Sequence, residues 1–143
     1  MNKYADWKKK NSEEFNKLNL IYAMNKEELQ KEAIKNNCNI EDLYHIGFGT
    51  YVNAKDFGKF VNMNIKIKHE KQKLFSNYDF MYDAFIYQLY NHEYCITYNY
   101  DYDTAIDDLD LTIEKINISE IEVKKAFEQA KKDYQEKHNM YLK

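Results

Sequence analysis

Between Asn77 and His92 the chain carries Phe80, Met81, Tyr82, Ala84, Phe85, Ile86, Tyr87, Leu89 and Tyr90. On a helix capped by Asn77 these leave almost no polar face, and Asp79 and Asp83, four apart, mark its least apolar side. A helix apolar nearly all round has no side to give to water, so other elements must pack about it. That demand sets the expected plan: one central buried helix with the remaining elements laid around it. A chain of 143 residues is long enough to build such a core in one domain, taken here as 1–143.

The surrounding elements are read from pattern. A first helix is predicted over 4–17, with Trp7, Phe15 and Leu18 supplying apolar contacts. The run Leu20-Ile21-Tyr22-Ala23 predicts a short strand. Asn25, with Glu28 three residues on, resembles a capping box and opens a helix to about Asn36. Leu43 through Val52 predicts a hairpin, because two β-prone runs flank Gly47 and Gly49, which tolerate a tight turn. Residues 54–74 carry two patterns. Val61, Met63, Ile65 and Ile67 alternate as in a strand, whereas Phe60, Met63, Ile67 and Leu74 keep helical spacing. Length and the Lys-Glu-Lys-Gln-Lys ending favour the helix. Short helical turns are predicted over 101–109 and 112–116. Ser119 with Glu122 reads as a capping box for a closing helix that turns Ile121, Val123, Phe127 and Tyr134 inward. The expected fold is mainly α with a small β-hairpin or sheet element (α+β), in a single compact domain.

Charge is distributed unevenly along this chain. Residues 77–114 hold nine carboxylates and eight tyrosines but no lysine, in a protein with 21 lysines and a net charge of −3. Arginine and proline are absent. An AT-rich coding sequence accounts for much of the Asn, Ile, Tyr and Lys content, but not for this segregation. Asp101, Asp103, Asp107, Asp108 and Asp110 form a dense run fronted by Tyr98, Tyr100 and Tyr102. Carboxylates at that density set up a field that steers a basic partner, and tyrosine suits interfaces through large contact area and a polar tip. With Asp79 and Asp83 these are the candidate partner-binding residues. The competing reading is that the acids cap short helices or pair with lysines elsewhere.

Enzyme signatures are weak. Gly47-Phe48-Gly49 lacks the further glycines and the Lys-Ser/Thr of a phosphate loop. His92, Glu93 and Cys95, with Asp101 or Asp103, offer metal-binding atoms, but neither Cys-x-x-Cys nor His-Glu-x-x-His spacing occurs. Structural roles are expected instead: His92 bonding the last carbonyls of its helix, and Cys95 acting as a small apolar residue. Asn99-Tyr100-Asp101-Tyr102-Asp103 begins like a calcium loop, yet Thr104 stands where glycine is needed and Asp110 where a bidentate Glu is needed. Asp103 is read as the N-cap of the short helix holding Ala105 and Ile106. Cys38 with His45 or His69, and Cys95 with His92, are the available thiol–imidazole pairs; Ser12, Ser76 and Ser119 lie in no nucleophile elbow. No catalytic residue, metal or cofactor is assigned. Lys8-Lys9-Lys10 and Lys66, Lys68, Lys71 and Lys73 form basic clusters, but without arginine no direct sequence-specific nucleic-acid binding is expected. No segment has the length and apolarity of a membrane span, and the start of the chain lacks the apolar stretch of a signal peptide. A cytoplasmic protein with Cys38 and Cys95 reduced is expected.

Several blocks together carry a resemblance. Ile46-Gly47-Phe48-Gly49-Thr50-Tyr51-Val52, Phe80-Met81-Tyr82-Asp83-Ala84-Phe85, Asn91-His92-Glu93-Tyr94-Cys95 and Leu109-Asp110-Leu111-Thr112 occur in that order. The chain, from about Leu20 onward, resembles a family of small, largely uncharacterised proteins carried by phages and mobile elements of low-GC bacteria. The resemblance implies a genomic setting in which small proteins often block host defence. The leading expectation is a non-enzymatic inhibitor that occupies the basic nucleic-acid channel of a host effector, for instance a CRISPR nuclease. The alternative is a metal-dependent hydrolase using His92, Glu93 and the Asp101–Asp103 pair; a third is a lysine-driven nucleic-acid binder.

Overall fold

The apolar helix lies where its composition demands. In the computed structural model, which describes residues 1–140, it is α4 (Tyr78–Asn91), and the Asn77 side chain accepts the Phe80 N–H at 2.9 Å as its N-cap. Phe80, Met81, Ala84, Phe85, Gln88 and Leu89 are buried, while Tyr78, Tyr82, Ile86, Tyr87 and Tyr90 pack against the same core half-buried. Its chief partner is the closing helix α8 (Ile121–Lys137), which contributes buried Val123, Ala126, Phe127, Ala130 and Tyr134.

The chain forms two compact units, one made of Met1–Lys9 with the chain from Glu70 onward, the other of Lys10–His69. The first unit contains α4 and α8 together with α5 (Glu93–Asn99), α6 (Asp103–Asp107) and α7 (Ile113–Ile118). The opening turns of α1 (Lys3–Asn16) belong to it as well. Asn2 Oδ1 accepts the Ala5 N–H at 2.9 Å, capping α1, and Asn2 Nδ2 donates to the Asp83 carbonyl at 2.8 Å. Tyr4 is buried edge-on against Phe80 and Tyr87, and Trp7 meets Phe80 edge-on at 5.7 Å. The Trp7 indole N–H donates to Glu70 at 2.8 Å.

The second unit is built on a three-stranded antiparallel sheet in the order β1 (Leu20–Tyr22), β3 (Thr50–Asn53), β2 (Leu43–Gly47). The predicted hairpin is β2–β3, with a register irregularity between His45 and Gly47. Helix α2 (Lys26–Lys35) begins at the Asn25 cap, whose side chain accepts the Glu28 N–H at 2.9 Å; Glu28 in return accepts the Met24 N–H at 2.8 Å. The core of this unit is Leu18, Ile21, Ala23, Ala33 and Val52. Residues 54–74 are helical as α3 (Ala54–Leu74). Phe60, Met63, Ile67 and Leu74 are half-buried and Val61 and Ile65 exposed, so the 3.6-residue pattern is the one with structural meaning. Gly49 turns the hairpin at φ 61°, and a Cβ there would lie 2.9 Å from the Ala23 carbonyl oxygen. Gly49→Ala is therefore expected to lower stability by about 1–3 kcal/mol, read as an earlier midpoint in urea unfolding.

Two expectations fail near α8. Ser119 does not cap it; its hydroxyl donates to the Ile116 carbonyl at 2.7 Å, closing α7, and Glu120 stands at the start of α8 without a side-chain cap. Ile121 points outward at 64% exposure, because the inward face begins at Val123. A third element was not anticipated at all: α5 follows α4 after His92.

Candidate functional site

The first acidic pair supports α1. Asp79 lies 3.8 Å from Lys3 Nζ, and Asp83 accepts the Lys3 backbone N–H at 2.7 Å. Asp79 lies in the first turn of α4 and the Asp83 carboxylate meets the first N–H of α1, so each faces a helix start, where free N–H groups and the positive dipole end favour carboxylates.

Three of the five acids in the following run also have partners. Asp101 accepts the Asp103 N–H at 3.1 Å and the Thr104 hydroxyl at 3.2 Å. The carboxylate that caps α6 is thus Asp101 and not Asp103, because Tyr102 already has helical torsions (φ −89°, ψ −17°) and moves the cap back along the chain. Asp108 lies 2.7 Å from His92 Nε2. The imidazole expected to bond the last carbonyls of α4 is turned to α6 instead, and the His92 backbone N–H donates to Gln88 at 3.1 Å. Asp110 lies 2.7 Å from Lys71 Nζ, whose hydrogen bond and charge hold its carboxyl below the usual carboxylate range. Asp110 also takes a left-handed φ of 59° while the Leu111 N–H closes on the Ile106 carbonyl at 3.1 Å, a helix-ending motif that Asp and Asn tolerate.

The tyrosines divide in the same way. Tyr102 is half-buried; its hydroxyl accepts from Gln135 Nε2 at 2.5 Å, and Lys131 sits 5.8 Å from its ring centre. Tyr100 ends α5 in a left-handed conformation at φ 53°, with the Asp101 N–H donating to the Cys95 carbonyl at 3.2 Å. Tyr98 is 73% exposed and lies against Tyr94, itself 75% exposed, with ring centres 5.1 Å apart. The Tyr94–Tyr98 pair depends on helical i,i+4 spacing, which is invisible unless α5 is recognised as a helix.

Asp103, Asp107 and Glu114 remain. They line one groove of about 490 Å³ with Thr104, Thr112, Leu111 and Ile113. Among the described residues none of their side chains has an ion pair or hydrogen bond. Asp103 and Asp107 are one turn apart on α6, and Glu114 lies in the first turn of α7, which Thr112 caps by accepting the Lys115 N–H at 3.2 Å. Short helices joined by a tight connection hold the three carboxylates around an apolar floor.

Metal ligation finds no such convergence. His92 is engaged with Asp108, Glu93 lies 3.3 Å from His138 Nε2, and Asp101 caps α6. Among the described residues no group of three His, Cys, Asp or Glu could hold a metal ion. Cys38 and Cys95 are half-buried free thiols. No helix among the described residues is long and apolar enough to cross a membrane.

Fold and groove together define a mainly helical α+β protein that presents a carboxylate-lined cleft with no cation in its lining among the described residues. The chain belongs to a family of unknown function, DUF7659, whose model matches residues 3–133, so the shared region begins well before Leu20. No curated protein and no solved structure matches it significantly.

Proposed function

We propose that this protein is a non-enzymatic binding module whose α6–α7 cleft engages a basic protein surface. The observation that carries the reading is the contrast between the acids of the block that have partners within the chain and the three carboxylates left over. Asp79, Asp108 and Asp110 have cationic or imidazole partners, whereas Asp103, Asp107 and Glu114 share a groove without one among the described residues. An unneutralised patch on short, well-capped helices favours association with a positive surface and accelerates encounter. The specific form proposed, supported by the resemblance to phage and mobile-element proteins, is an inhibitor that occupies the basic nucleic-acid channel of a host defence nuclease of the CRISPR kind.

The test is association with purified CRISPR nucleases, with Asp103→Asn/Asp107→Asn/Glu114→Gln beside the wild type. The triple variant is expected to associate about tenfold more slowly, and the wild-type rate to fall with added salt. Asp110→Asn, which removes an exposed pair, should change stability by less than about 1 kcal/mol and leave the association rate nearly unchanged. Tyr98→Ala should instead speed dissociation, since short-range packing governs the off-rate. Binding by the triple variant at the wild-type rate, with the same salt dependence, would overturn the reading.

A further inference from the structure

A second groove in the first unit has the opposite sign. It runs along the outer face of α8 for about 720 Å³ and is lined by Lys124, Lys125, Lys131 and Lys132, with Glu128 as its one carboxylate and Tyr78 of α4 on its wall. Lys131 is held by Glu128 at 3.6 Å and over the Phe127 ring at 5.2 Å. Among the described residues Lys124, Lys125 and Lys132 have no ion pair.

We propose that this groove binds the sugar–phosphate backbone of single-stranded nucleic acid without sequence preference. Three observations converge on that ligand. The lysines fall as two adjacent pairs seven positions apart, and seven helical residues rise about 10.5 Å, which sets the two pairs far enough apart to meet different phosphates of one strand. The wall is aromatic: Tyr78 lies nearly parallel to Tyr82, with an interplanar angle of 15° and centres 6.4 Å apart. Tyr82 is itself fixed by donating its hydroxyl to Asp133 at 2.5 Å, so the platform is braced before a base arrives. Stacking on such a ring needs an unpaired base, which a duplex does not offer. The chain has no arginine, so the bidentate contacts that read base identity are missing and backbone attraction dominates. The inference is independent of the acidic cleft, whose residues it does not use.

The experiment follows fluorescence anisotropy of a labelled oligothymidine with the full chain between about 50 mM and about 200 mM salt. Three to four phosphate contacts at a slope of about −0.7 each predict an affinity loss of roughly 20–50-fold over that range. Lys124→Gln/Lys125→Gln/Lys132→Gln alters exposed side chains, is expected to leave the fold intact, and should flatten the slope to about −0.7. Tyr78→Ala should weaken binding by roughly 5–100-fold and Tyr78→Phe should retain it, which separates stacking from any loss of packing. Lys26→Gln/Lys31→Gln, on α2, should bind as the wild type does. Absence of binding up to about 100 µM protein at the lower salt would overturn the proposal. So would a slope unchanged in the triple variant. Displacement of the oligonucleotide by an equal concentration of polyglutamate would overturn it too, in favour of an acidic protein partner.

Discussion

Phe85→Ala is expected to cost about 3–5 kcal/mol, the largest single-residue loss foreseen. Phe85 is 1% exposed on α4 and packs at 5.1 Å, tilted, against Phe127 of α8, the two helices whose contact organises the first unit. Truncation removes apolar area from the core and leaves a cavity that the flanking Met81, Leu89 and Ala130 side chains, all 0% exposed, are too enclosed to fill. Domains of this size have roughly 5–15 kcal/mol in hand, so the variant should lie near its unfolding threshold. Urea unfolding followed by circular dichroism checks this, with the midpoint falling and the slope retained. Ile118→Ala, at 86% exposure, is the matched control and should move stability by no more than about 0.5 kcal/mol. A loss below about 1.5 kcal/mol at Phe85 would mean that the α4–α8 seam is not the packed centre described.

Alkaline pH is the second large effect. Tyr82, Tyr102 and Tyr134 all have hydroxyls pushed above the ordinary tyrosine value, chiefly by burial. At Tyr82 the hydrogen bond to the Asp133 carboxylate pushes further in the same direction. The folded protein keeps these protons at a pH where the unfolded chain has lost them. Their contribution is therefore complete below about pH 10, the ordinary tyrosine value, and declines as pH rises from there toward the folded values. Thermal midpoints should hold on the neutral side and fall progressively above about pH 10. Absorbance titration should show the three rings ionising late and together with unfolding. Tyr82→Phe should be less stable at neutral pH, since Asp133 loses a donor, but should flatten the alkaline decline. An unchanged decline in that variant would remove Tyr82 from the account.

Much of the architecture was legible because it rests on local chemistry. Asn25 and Asn77 cap their helices with the spacing that a side-chain oxygen and an N–H two or three residues on require. The apolar girth of α4 announced a central helix, and the hairpin followed from two β-prone runs around Gly49. What stayed hidden depends on partners distant in sequence. Helix α5 is made of Glu93-Tyr94-Cys95-Ile96-Thr97-Tyr98-Asn99, rich in residues that favour strands, and its one buried anchor, Ile96, is decided by packing. Ser119 had the right neighbour for a capping box, yet its hydroxyl found the end of the preceding helix first. The acidic run was visible as a run, but only the fold separates Asp108 and Asp110, which meet His92 and Lys71, from Asp103 and Asp107, which meet no cation among the described residues. The lysines of α8 drew no reading from the sequence, because the wall that makes their face a groove is Tyr78 of α4, distant along the chain.

Tyr4 has a bearing on how the protein is made. Its ring packs on Phe80 and Tyr87, and its hydroxyl accepts from Gln88 Nε2 at 3.1 Å, 84 residues downstream. At roughly 5–20 residues per second of synthesis, that aromatic anchor waits on the order of 4–17 s before its partners are made, and longer before α8 closes over α4. The 10–69 segment, whose own strands pair locally, is complete by then. Translation thus imposes an order that the finished core conceals: the sheet can settle while Tyr4 and Trp7 are still unpartnered apolar surface, so residues made before the sheet are buried after it.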